Sequence, residues 1–326
     1  MFTKINLQLF ANVVQTTLLP ALSAEMKTFY DMTLIDEATA NLVHDQFGQK
    51  RPIPKNGGKT IEFRKFAPLA KALTPLTEGV TPDGKSLEVS TITATVSQYG
   101  DYITQSDVLE LTSLDNTILE ATKLLGRQAG ATLDTIVRNV MQSGTNVTYC
   151  PKADGTAVTS RAGLDATCQL TVDVVNQVVA KLRAQNAPTI NGKYVAIIHP
   201  YVAYDLMSDP AWIDAHKYAK PDNLYEGEIG EIGGVRFVQT TEAKIYSSGV
   251  FGSLFFGEGA YGVTEITGGG LETIVKQKGS AGTADPLDQR SSVGWKAIKT
   301  AELLIPNYLV RVESKSKVFS ATATEN

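Results

Sequence analysis

The sequence predicts an α+β fold, in which a polar two-stranded limb precedes a long amphipathic helix and a lobe of mixed helices and strands follows. The limb runs from Gly57 to Ser97. Its strands, Thr60 to Phe66 and Ser86 to Gln98, carry Thr, Ser and charge on both faces, so they cannot build a core of their own. An isolated hairpin of that kind is marginal in water. The helix from Thr117 to Ser143 spans roughly 40 Å at the usual rise per residue. Limb and helix together point to assembly rather than catalysis, with the limb laid on a neighbouring subunit and the helix acting as a rigid spar.

Composition supports a globular chain. Of 326 residues, 43% are hydrophobic and 20% charged, with 27 Gly and 13 Pro, which excludes collagen-like, coiled-coil and wholly disordered classes. The net charge of -4 gives no whole-protein attraction to nucleic acid or anionic membrane. Cys150 and Cys168 lack the CxxC spacing of a zinc site and are expected as free thiols in a reducing cytoplasm, although a disulfide between them stays open. The N-terminal stretch resembles a signal peptide only superficially, because Asn6, Gln8, Asn12 and Gln15 interrupt every apolar run. No run approaches a membrane span, so synthesis and use in the cytoplasm are expected.

In chain order, residues 1 to 24 read as an extended arm and Ala24 to Asp45 as a helix or two, with Met26, Phe29, Tyr30, Met32, Ile35, Ala38 and Leu42 at helical spacing. Arg51 to Gly58 is a breaker with two prolines and two glycines. Ala67 to Lys85 forms the limb tip, too long for a tight turn. Ser106 caps a short turn through Leu111. Thr117 and Glu120 match a capping box, Ile118, Ala121, Leu125, Ala129, Leu133, Ile136 and Val140 form one helical face, and Gly144 ends the helix.

Thr145 to Thr171 reads as an insertion, a small hairpin or surface loop. A helix follows from Thr171 through Val174, Val175, Val178, Val179 and Leu182, stopped by Asn186 and Pro188. Lys193 to Ile198 is a buried strand, closed by His199 and followed by a helix with Tyr204, Leu206 and Met207. Gly227 to Thr240 is a glycine-tipped turn into a strand, and Gly249 to Phe256 and Tyr261 to Thr267 are further strands. Ser292 to Val312 is extended, with Pro306 requiring an edge or a bulge, and the tail from Glu313 is expected to fray.

The motif search finds little chemistry. Gly257 to Gly262 spells GxGxxG, which serves a dinucleotide only where it opens a helix; here β-branched Val263 to Thr267 follows, so a glycine-rich connection is expected. His44, His199 and His216 lack metal-binding spacing, and no nucleophile elbow or Walker loop occurs. The acid pairs Glu228 and Glu231, and Asp205 and Asp209, read as solvated faces and caps. Basic residues Lys50, Arg51, Lys55, Lys59, Arg64, Lys65 and Lys71 cluster in the limb around Phe63 and Phe66. They fit an inter-subunit salt-bridge surface facing Asp222, Glu226, Glu228 and Glu231 better than a nucleic-acid groove. Ile61, Phe63, Arg64, Lys65 and Phe66 are therefore the candidate contact residues.

The order of the parts resembles the major capsid protein of tailed bacteriophages, with its Hong Kong 97-type fold. Local wording is similar at Leu7 to Ala11, Ile197 to Leu206, Gly230 to Phe237 and Val293 to Lys296. The resemblance spans nearly the whole chain, and its specificity lies in the order of the parts. It implies an N-terminal arm at 1–48, an extended loop at 49–100, a peripheral domain with spine helix and insertion at 101–170, an axial domain at 171–289, and a return strand with tail at 290–326. It also implies a subunit that self-assembles through hexamers and pentamers into an icosahedral shell around phage DNA, without sequence-specific binding. Such a protein is located in the virion capsid and assembled in the host cytoplasm, with scaffold, portal or decoration proteins as further candidate partners. No enzyme activity, cofactor, metal or membrane is expected. The insertion has no place in the resemblance, and no Lys and Asn pair for cross-linking stands out. The alternatives are a nucleotide-binding enzyme using the Gly257 to Gly262 loop and a cell-surface β-rich adhesin.

Overall fold

The computed structural model describes residues 34, 35, 37, 38, 42–66, 69–76, 78–81, 83–113, 117–217, 230–280 and 285–326. The expected extended arm and most of the first helix lie outside these residues. The described chain divides into two compact units. One gathers the described residues up to 38 with Gly100–Ala129 and Leu271–Lys296; the other holds 41–99, 130–270 and 297–326.

The larger unit is built on a seven-stranded sheet among the described residues. Its order is β5 (Val147–Tyr149), β14 (Leu309–Lys315), β10 (Val250–Phe256), β6 (Tyr194–Ile198), β8 (Val235–Gln239) and β7 (Glu231–Ile232), with β9 (Ile245–Tyr246) also on β10. Strand β10 pairs antiparallel with β14 from Val250↔Lys315 to Phe256↔Leu309, while β6 and β8 run parallel. Every residue of β6 and β10 is buried. Both faces of such strands must be covered, and the alternation shows how. Ala196, Ile198, Phe251 and Phe255 join the valines of helix α3 (Val172–Ala184). Val195, Ile197, Leu254 and Phe256 join Val137 and Met141 of helix α2 (Thr117–Gln142).

A second sheet contains β1 (Gln49–Lys50), β11 (Tyr261–Glu265), β13 (Arg290–Leu303) and β12 (Glu272–Lys276), with β4 (Ser97–Ser106) also paired to β13. In the larger unit, β11 pairs with the later residues of β13, Tyr261↔Leu303 to Glu265↔Lys299. In the smaller, β12 pairs with the earlier ones, Glu272↔Lys296 to Lys276↔Ser292. The limb is a separate two-stranded sheet of β2 (Thr60–Phe66) and β3 (Val89–Thr95), antiparallel from Thr60↔Thr95 to Phe66↔Val89.

Several local readings match these elements. Ser106 Oγ accepts from Leu109 N at 3.3 Å and caps helix α1 (Asp107–Thr112). Thr171 Oγ1 accepts from Val174 N at the start of α3. Gly233 and Gly234, with φ of 62° and 81°, make the β7–β8 turn that only residues tolerant of positive φ allow.

Other readings need correction. Thr117 is the first helical residue, and its hydroxyl donates to Gln105 Oε1 at 3.1 Å while Glu120 pairs with Lys123 at 2.9 Å, so they form no capping box. Gly144 is not among the left-handed glycines. Pro306 lies in the short turn Pro306–Tyr308 between β13 and β14, which belong to different sheets, so neither edge nor bulge is needed. The insertion is no loose loop: β5 pairs parallel with β14, and Leu164, Cys168 and Leu170 enter the core. The tail does not fray, because Phe319 stacks on Tyr201 at 4.2 Å and Ser320 Oγ donates to Gly249 O at 2.9 Å.

Candidate inter-subunit surface

The limb starts from a tightly held root. Asp134 of helix α2 accepts from the amides of Val43 and His44 at 2.9 and 2.7 Å and contacts His44 Nδ1 at 2.6 Å, all but Val43 fully buried. Tyr261 donates its hydroxyl to His44 O, and Lys299 meets Asp45 at 2.8 Å. Burial and the nearby carboxylates of Asp45 and Asp134 hold the Tyr261 phenol well above its usual pKa, which keeps it a neutral donor. Strand β1 then runs parallel to β11, and Arg51 N and Ile53 N donate to Val263 O and Glu265 O.

Phe63 completes this root. It is only 4% exposed and packs with Ala94 and Leu304. A Cβ on Gly262 would lie 2.9 Å from its ring, so the glycine is what lets the ring approach. The Arg51 guanidinium lies over the ring, 5.9 Å from its centroid. Phe63 therefore belongs to its own subunit's interior and seats the limb, which corrects its reading as an outward contact. The limb lacked a core in sequence because its core residue Leu304 arrives from the far end of the chain.

The other candidates diverge from Phe63. Ile61 is half-buried beside the same cluster, Lys65 is half-buried, Arg64 is exposed and Phe66 is 59% exposed. Beyond them the tip residues Leu69, Leu73, Leu76, Val80 and Leu87 are all exposed. Among the described residues no ion pair ties Lys55, Lys59, Arg64, Lys65 or Lys71 to the rest of the chain, whereas Lys50 is paired with Asp45 at 3.4 Å. Of the acids expected to face this cluster, Glu231 is engaged by Lys193 within its own subunit. Asp222, Glu226 and Glu228 lie outside the described residues.

The GxGxxG loop joins strand β10 to strand β11, with no helix for a pyrophosphate to cap. Its glycines have packing or backbone roles instead: a Cβ at Gly257 would lie 2.2 Å from Pro188 O, Gly262 receives Phe63, and Gly259 takes a φ of 71° in the turn. Of the histidines, His199 closes β6 and caps helix α4 (Pro200–Met207), its Nδ1 accepting from Tyr201 N at 3.1 Å. His216 has no described side chain. Sequence reasoning missed the buried polar row of α2, where Asp134, Arg138 and Gln142 recur every fourth residue on the same stripe as Val137 and Met141. Arg138 donates to Glu242 O at 2.7 Å and Gln142 to Gly252 O at 2.8 Å.

Residues 88–304 match the family model described as phage capsid protein. The chain belongs to the phage capsid protein family. No curated protein matches this capsid protein. Among solved structures it is similar to the capsid of cyanophage Pam1, at 13% identity and a TM-score of 0.68 over 86% of this chain and 92% of that one. It is likewise similar to the capsid of cyanophage P-SCSP1u, at 14% identity and 0.66 over 84% and 88%. The capsid of Ralstonia phage GP4 gives 16% and 0.65 over 84% and 88%. The capsid protein thus has the fold of tailed-phage shell subunits, and it is a shell-forming major capsid protein of the virion.

Proposed function

We propose that this capsid protein self-associates through hexamers and pentamers into an icosahedral shell, and that the limb does so by lying over the next subunit. Ile61, Arg64, Lys65 and Phe66 are the contact residues in this reading, and the exposed tip extends them. The observation that carries it is the contrast within one hairpin: the root is buried in its own subunit, while Phe66, Leu73 and Leu76 beyond it are exposed apolar side chains. A run of exposed apolar side chains of this kind points to an interface. Many weak copies of one contact suffice, because closure of a symmetric shell multiplies modest pairwise energies.

The protein works by interfaces rather than catalysis, and its net charge of -4 suits enclosure of DNA without tight or sequence-specific grip. Assembly in the host cytoplasm, and scaffold, portal or decoration proteins as further partners, complete the reading. Deleting residues 68–84 tests it: the subunit should keep its thermal unfolding midpoint while electron microscopy finds no closed shells. Shells of unaltered size and yield would overturn the role of the limb.

A further inference from the structure

The two cysteines are fully buried, and both bond to strand β14, Cys150 at Glu313 and Cys168 at Lys315. Strand β5 pairs parallel with β14 up to Tyr149↔Glu313, and Cys150 N then donates to Glu313 O at 3.0 Å. In an uninterrupted parallel ladder Lys315 N would next take the carbonyl of Cys150. It takes the carbonyl of Cys168 instead, at 2.9 Å. Pro151 follows Cys150, Lys152 N turns back to Thr156 O, and the chain returns to the vacated ladder position at Cys168. Burial pushes the Cys150 thiol far above its usual pKa, and Cys168 is near enough to raise it further.

We infer that Cys150 and Cys168 form a redox-dependent staple that closes the insertion onto strand β14, reduced when the subunit folds and oxidised to a disulfide by a low-molecular-weight disulfide such as oxidised glutathione. Cys150 gives the amide and Cys168 the carbonyl of one ladder position on β14, which puts their α-carbons on the scale a disulfide bridges, roughly 4.4–6.8 Å. The insertion is also held there by Arg161, whose guanidinium grips the buried Glu313 carboxylate at 2.7 and 2.6 Å, so closure asks the Cys168 thiol only to turn from Asp165. The Cys168 thiolate attacks a glutathione sulfur, and glutathione thiolate leaves. The Cys150 thiolate then attacks the Cys168 sulfur and expels the second glutathione; both displaced thiolates take up the protons the cysteines released. Two electrons pass from the two cysteines to one glutathione disulfide. Burial makes both thiols slow, so exchange goes through brief opening of the insertion.

The test treats the full-length protein with oxidised glutathione at about pH 8.5, then alkylates it in denaturant for mass spectrometry. The expected result is one peptide pair joined between Cys150 and Cys168, no alkylation at either, and an unfolding midpoint raised by about 5 °C that dithiothreitol reverses. Cys150→Ser and Cys168→Ser should each abolish the rise. A parallel sample unfolded and refolded in a glutathione redox buffer removes the barrier of burial. Two alkylated thiols there, a persistent glutathione adduct, or a bond between chains would each overturn the staple.

Discussion

His199 shows how a single residue couples strand, helix and pH. Its ring caps helix α4 through Nδ1, packs 4.7 Å from Tyr201 and 5.1 Å from Phe251, and therefore carries its proton on Nε2 and stays neutral. Burial lowers its pKa to about 4, against about 6.5 in the unfolded chain. Between those values the unfolded state binds a proton that the folded state refuses. Stability contributed by neutral His199 is thus fully present above about pH 6.5 and is lost as pH falls toward 4, a change on the order of 3 kcal/mol. His199→Asn keeps a capping acceptor without the titration. Denaturant unfolding from pH 4 to pH 8 should show a flatter profile in the variant; an unchanged slope would assign the pH dependence elsewhere. The cap position was legible in sequence, because a residue before proline ends a strand and starts a turn. The role of Gly262 was not, since the ring that needs it lies on the limb.

At the scale of elements, helix α2 was legible in length and in the first half of its buried face, where Ala121, Leu125, Ala129 and Leu133 are all buried. Its second half was not. Ile136 and Val140 were expected on the buried face, yet both are half-buried, and the stripe continues through Asp134, Val137, Arg138, Met141 and Gln142. Charge at helical spacing ordinarily marks solvent, and only the partners supplied by distant segments reverse that rule. Asp134→Ala should accordingly be severe, because it strands the His44 ring and two backbone amides in a dry site. A loss of roughly 3–5 kcal/mol is expected on breaking a buried pair of this kind. Lys123→Ala, which removes an exposed pair on the same helix, should cost within about 0.5 kcal/mol. Equilibrium denaturation of the two variants measures both, and equal losses would mean that Asp134 is better solvated than its burial implies.

For the whole molecule, the limb, the strands and the glycine turns could be read from local pattern, but sheet membership could not. Strand β14 joins β10, and β5 joins β14, through pairings between remote segments that local pattern does not reveal. The tail was misread for the same reason, since its polar composition hides one aromatic that finds a shelf. Phe319 stacks on Tyr201 and meets Tyr204 edge-on, and the backbone of Ser320 lies so close to Gly249 that a Cβ there would come within 2.0 Å of its carbonyl. Tail and limb therefore make opposite demands on the subunit. Removing residues 316–326 bares Tyr201 and leaves Gly249 O without its hydroxyl partner, so the isolated subunit should unfold several degrees earlier and bind a hydrophobic dye. Removing the limb tip takes away side chains that are exposed among the described residues, so folding should be spared and shells lost. Thermal unfolding and electron microscopy on both deletions separate the two roles: a tail deletion with an unchanged midpoint would make the tail an assembly element, and a limb deletion with a lowered midpoint would make the tip part of the fold.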